Sequence, residues 1–105
     1  MYLTVLSGQS ISAQADLNRG GGGEALGLFV PSLNSTEVRL QFTTTSGGLF
    51  TTAYRPDGTG TPFVVYSGAG PGFGIFPFVL TSHVRVTLVA SQTDVRTFEL
   101  VPLFR

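Results

Sequence analysis

The sequence predicts a single all-β domain over residues 1–105: an antiparallel β-sandwich of jelly-roll type, or a small barrel, of about eight strands with little or no helix. Three observations carry this. Apolar and polar residues alternate at period two in several runs, and Gly-, Pro- and Asp-containing punctuation recurs about every ten residues. No stretch repeats apolar residues at helical spacing between caps. A chain of 105 residues also has the size of one domain.

The first runs are apolar or Thr-rich, at 2–7 and 10–17. "NRGGGGE" at 18–24 can only be a loop, because four successive glycines cost too much backbone entropy for a strand or helix. A strand follows at 25–30, then "EVRLQFTTT", whose Val38, Leu40 and Phe42 point one way and Arg39, Gln41 and Thr43 the other. Ser46-Gly47-Gly48 reads as a tight hairpin turn into a strand at 49–54. In "RPDGTG", Pro56 and Asp57 before Gly58 give the order of a type I turn with a left-handed glycine exit. Strands are predicted at 62–67 and 75–81. "HVRVTLVAS" places Val84, Val86, Leu88 and Ala90 inward, Asp94 marks another turn, and "RTFELVPLF" sets Phe98 and Leu100 against Thr97 and Glu99. Apolar runs begin at Tyr2 and finish at Phe104, which builds both ends into the sheet.

Composition narrows the function. Charged residues are 11% of the chain, less than half the roughly 25% usual for soluble domains. All six basic residues are arginines, at 19, 39, 55, 85, 96 and 105, and they balance six carboxylates. A neutral chain with scattered arginines has no field to steer it onto nucleic acid or an anionic membrane, so neither is an expected partner. With no cysteine there is no disulfide, thiolate nucleophile or Cys-based metal site. "MYLTVLSGQS" lacks the basic and long apolar regions of a signal peptide, and no apolar run approaches the roughly 20 residues of a membrane helix. The expectation is a soluble, untargeted protein. Sparse charge has two readings: a surface covered by partners, or one served by Thr, Ser, Gly and Gln.

The segment "SGAGPGFGIFPF" at 67–78 is the one place where a nucleotide could be suspected. A dinucleotide fingerprint needs G-x-G-x-x-G between a strand and a helix. Here Gly68, Gly70, Gly72 and Gly74 recur every second residue, Phe73 takes the place of the third glycine, and Pro77 would spoil a following helix. The segment reads instead as a backbone that bends, or lets another backbone approach, on its way into a strand. Phe73 and Ile75 share one face of that strand, and Phe76 and Phe78 the other. Apolar side chains on both faces mean either a core strand buried on two sides or one face against a neighbouring subunit.

No catalytic constellation emerges. His83 is the only histidine, which excludes a multi-histidine metal site within one chain, and no G-x-S-x-G elbow or D-x-D-x-D run exists. Among the carboxylates Asp16, Glu24, Glu37, Asp57, Asp94 and Glu99 nothing singles out a glycosidase pair, and Glu37 and Glu99 fall on solvent faces of strands, facing arginines. No catalytic residue, cofactor or metal is expected. Without tryptophan, the best platform for a sugar is Tyr54 beside the 55–60 turn; otherwise it is a strand-end tyrosine packing over the core rim.

The central stretch "LFVPSLNSTEVRLQFTTTSGGLFTTAYRPDGT" resembles small all-β accessory proteins encoded among the virion genes of tailed bacteriophages. The resemblance runs from Leu28 to Pro31, through Leu40-Gln41-Phe42, Ser46-Gly47-Gly48 and Phe50, to Asp57-Gly58, about a third of the chain. Ser32-Leu33-Asn34 stands where that group often has a tryptophan, and Gly47-Gly48 where it usually has Asp-Gly. The resemblance implies a non-enzymatic virion part made in the host cytoplasm and carried on the capsid surface. In that role it would be a cement or decoration protein whose partners are the major capsid protein and further copies of itself, as a dimer or trimer. Phe73, Ile75, Phe76 and Phe78, with Gly21 and Gly22 of the glycine loop, are the expected contact residues. Two alternatives remain: a glycan- or receptor-binding module using Tyr54, and a tail or head–tail connector.

Overall fold

Among the described residues, nine strands account for the alternating runs: β1 (Tyr2–Val5), β2 (Ala15–Asp16), β3 (Leu26–Val30), β4 (Thr36–Thr43), β5 (Thr51–Thr52), β6 (Val64–Gly68), β7 (Gly72–Phe76), β8 (His83–Leu88) and β9 (Arg96–Pro102). The computed structural model describes residues 2–16, 26–43, 47–55, 58–76 and 83–102, and among these there is no helix. The predicted loop at 18–24, Ser46, the Pro56-Asp57 step and the residues from 77 to 82 lie outside the described residues.

All pairings are antiparallel. One sheet has the order β1-β9-β3-β7; in the other, β2-β8-β4 continues to β5 and β6, which pair with the two halves of β4. Leaving aside the two-residue β5, the chain changes sheet at every connection except that from β4 to β6. Eight strands in two sheets of four, wound in this way, are the double Greek key of a jelly roll. The all-β sandwich expected from the pattern is therefore the fold, and the barrel is not.

Period-two alternation explains why these strands bury what they bury. Leu3 and Val5 of β1, Leu28 of β3 and Phe98 and Leu100 of β9 meet Val38 and Leu40 of β4 and Val84, Val86 and Leu88 of β8 in one core. Three predicted runs differ from the observed strands. Of the run at 49–54, only Thr51–Thr52 forms a strand, with Tyr54 in an isolated bridge to Pro62. Of the run at 10–17, only Ala15–Asp16 forms a strand, with an isolated bridge from Ile11 to Thr87. Between them the Ser12 N–H still bonds the Val86 carbonyl (3.0 Å), but the Val86 N–H goes to the Ser12 hydroxyl (2.9 Å) in place of a backbone carbonyl. The run predicted at 75–81 begins earlier, and its residues from 77 on lie outside the described ones. β7 already starts at Gly72, inside the glycine-rich segment, because period-two glycines are compatible with a strand whose inner face must stay empty.

The neighbouring elements show what that empty face is for. Gly72 and Gly74 point inward between the outward Phe73 and Ile75. A Cβ on Gly74 would run into the backbone carbonyl of Val65, and one on Gly72 into the ring of Tyr66, both on β6 of the opposite sheet. Gly70, with φ of 63°, lies against the Pro31 carbonyl, where any side chain would collide. The glycines thus let β6 and β7 pack unusually close as the chain crosses between sheets.

The end of the sandwich carrying the 6–10, 31–35 and 89–95 connections is tied together by Gln92. Its side chain is 1% exposed, and all its hydrogen-bonding capacity is used. Its Oε1 accepts from the Asn34 N–H (2.7 Å) and from Arg96 Nε (3.2 Å), and its Nε2 donates to the carbonyls of Asn34 and Ala90 (both 3.1 Å). Its backbone adds bonds to Gly8 and Gln9. Arg96 and Thr93 also bond the Asn34 side chain.

Candidate functional site

The two outer faces of the sandwich differ in kind. On the β2-β8-β4 sheet, Glu37 and Arg39 form an ion pair at 2.6 Å. Arg85 Nε donates to Gln41 Oε1 (2.8 Å), and its guanidinium lies 4.1 Å from the centre of the Phe50 ring. Gln41 Nε2 reaches on to Thr52 (3.2 Å). These groups largely satisfy one another on the same face, as a solvated sheet surface requires. The exceptions among the described residues are the buried Arg39 Nε, which has no partner, and the exposed Ile11 and Val64, which lie beside Thr87 and Arg39.

The β1-β9-β3-β7 sheet presents apolar groups instead. Register places Tyr2, Glu99, Phe29 and Phe73 in one row across all four strands, and Val101, Gly27 and Ile75 in the next. Phe29 and Phe73 pack ring to ring, centroids 4.7 Å apart and tilted by 57°, a favourable arrangement for an aromatic pair. Thr4 and Thr97 share a hydroxyl contact at 3.3 Å below that row. Continuing the β1–β9 register by one step sets Leu6 opposite Val95 on the same side. Tyr2 (69%), Phe29 (50%), Phe73 (43%) and Ile75 (49%) are all substantially exposed, as are Leu6 and Val95. Four of the eleven large exposed apolar side chains among the described residues therefore lie on the strands of this one face, and Leu6 and Val95 adjoin them just beyond the end of the β1–β9 ladder, enough to distinguish a patch from scatter. Among the described residues Glu99 is its only charge and has no ion-pair partner, so no described arginine faces it.

Of the expected contact residues, Phe73 and Ile75 are exposed, Phe76 is buried, and the others lie outside the described residues. Phe73 and Ile75 face outward, as period two requires. Phe76 does not belong with them: it is 3% exposed and meets the Phe63 ring edge-on at 5.1 Å inside the core. It is one residue out of phase with the exposed pair, which turns it to the opposite side of β7. Phe78, Gly21 and Gly22 lie outside the described residues. Tyr2, Leu6, Phe29 and Val95 were not singled out from sequence. The signal for Tyr2, Leu6 and Phe29 lay in the apolar residues at both odd and even positions of "YLTVL" and "LGLFV", since a strand apolar on both faces has something to cover each. Val95 carries no such signal.

The remaining candidates are dispersed. Tyr54 is exposed and bridged to Pro62 in the hairpin beside a shallow depression of about 270 Å³ lined by Arg55, Thr61, Pro62, Phe63 and Val64. His83 opens β8, in register with Asp16 on one side and Thr43 on the other. No group of three or more His, Cys, Asp or Glu residues able to hold a metal occurs among the described residues. The segment from Gly72 to Phe76 is a strand, not the turn into a helix that a phosphate cradle needs. No protein-family model, curated protein or solved structure matches the chain.

Proposed function

We propose that the protein is a non-enzymatic structural component that works by docking. In line with the virion resemblance of its central segment, we further propose that it is a cement or decoration protein on a phage capsid. A jelly roll is not by itself a function. The observation that supports this reading is the segregation of the surface: one outer sheet face carries mutually paired polar groups, the other an apolar field around the Phe29–Phe73 pair. Covering such a field gains about 25 cal/mol for each Å² of apolar area, so several hundred Å² give several kcal/mol per copy before association costs. Repeated over a shell, copies joined through this field clamp together the coat subunits they sit on, without any chemistry. The test is to add the purified protein to particles of its source that lack it, and to measure retention and the temperature of particle disruption. The expected result is saturable binding and a higher disruption temperature, both reduced for Phe73→Asp. A protein neither found in native particles nor retained by depleted ones is not a cement protein.

Tyr54 beside the depression at Arg55 and Thr61–Val64 supports a second reading, a ligand- or glycan-binding module. In that case binding to a polysaccharide panel would be lost on Tyr54→Ala and kept in Phe73→Asp.

A further inference from the structure

We infer that the outer face of the β1-β9-β3-β7 sheet is the seam of a homodimer, in which two copies meet face to face about a two-fold axis. This rests on the docking function proposed above and names the partner that covers the apolar field. Three observations favour a second copy as the occupant.

The first is area. The exposed parts of Tyr2, Leu6, Phe29, Phe73, Ile75 and Val95 amount to roughly 600 Å², the upper end of the largest apolar patch on a typical monomer. With Thr4, Thr97 and Val101 between them, the face approaches the roughly 800 Å² that each partner gives to a standard stable interface. The second is charge: at a net charge of zero, no long-range repulsion opposes the meeting of two copies. The third is how the molecule would look once paired. The Phe29–Phe73 pair with Ile75 supplies a compact aromatic anchor for an interface core, and the opposite sheet turns its paired polar groups to water. An isologous contact of this kind closes at two copies, since each uses its one apolar face.

Glu99 opposes the arrangement and so supplies a test. Two copies bring two such carboxylates into a partly dried layer, and no arginine lies on this face among the described residues to meet them. Removing the charge should tighten a homodimer. It should weaken a complex with a different partner that aims a basic group at Glu99.

The native chain has no cysteine, so single introduced cysteines report the geometry without background. Ile75→Cys with a short bismaleimide is expected to give a covalent dimer, and Thr87→Cys on the opposite sheet only monomer. In sedimentation experiments Phe73→Asp should weaken self-association by about tenfold or more, and Glu99→Gln should strengthen it. Circular dichroism checks that Phe73→Asp keeps its fold; if it does not, the milder Ile75→Cys carries the test. Failure of Ile75→Cys to cross-link, or equal cross-linking at Thr87→Cys, overturns the seam. Weaker association of Glu99→Gln overturns the second copy as occupant. These failures are distinguishable from failure of the docking function. A monomer that still binds particles, and loses binding on Phe73→Asp, refutes only the dimer. A dimer that binds no particle refutes only the virion role.

Discussion

Gln92→Ala is expected to lower stability by about 2–4 kcal/mol, the sum of several half-buried groups left without partners, and to reduce Tm by roughly 10–20 °C for a domain of this size. The substitution strips partners from the Asn34 N–H and from the Asn34 and Ala90 carbonyls in one step. It also removes one of the two acceptors that hold Arg96, leaving the Asn34 side chain (3.2 Å) as the other. Because these groups belong to connections between different strands, their loss loosens a whole end of the sandwich. Gln92→Leu restores most of the volume and none of the hydrogen bonds. It should therefore be about as damaging as Gln92→Ala, as read by chemical denaturation. Rescue by leucine would mean that packing, not hydrogen bonding, makes this residue important.

Gly74→Ala is expected to cost about 3 kcal/mol, at the upper end of ordinary overpacking. The added methyl points into the carbonyl of Val65 and lies 2.7 Å from the Val65 Cγ1. β7 cannot retreat, because it is held in register by β3, with Gly74 opposite Leu28. The entropy that alanine removes from the unfolded chain recovers less than about 1 kcal/mol. Gly72→Ala should be milder, since its obstacle is the Tyr66 ring, a side chain that can turn aside. Equal and small effects at both positions, measured by thermal unfolding, would mean that the two sheets are free to separate here.

Gly74 and Gln92 also show where sequence reading stops. Alternation alone located the inward positions of β4, β8 and β9, because burial on one face of a strand leaves a period-two trace that needs no knowledge of the partner strand. The same logic separated Phe73 and Ile75 from Phe76, though it did not tell which set faced the core. That depends on which side of β7 the second sheet occupies, and Gly72 and Gly74 decide it by leaving room for Val65 and Tyr66. Gln92 was illegible for a different reason. A glutamine in a turn looks solvated, and its burial follows only from three connections, distant in sequence, converging on it. The apolar face was likewise assembled by cross-strand register. Tyr2, Phe29 and Phe73 are far apart in the chain and become neighbours only through the order β1-β9-β3-β7.

The most direct measurement is the mass of the unmodified protein in solution, by light scattering on a size-exclusion column loaded over a wide range of concentrations. Docking through the apolar sheet face of two copies predicts about twice 11.1 kDa, falling toward the monomer only on dilution. A mass of 11.1 kDa at every concentration, with Tyr2, Phe29 and Phe73 left open to water, would contradict it.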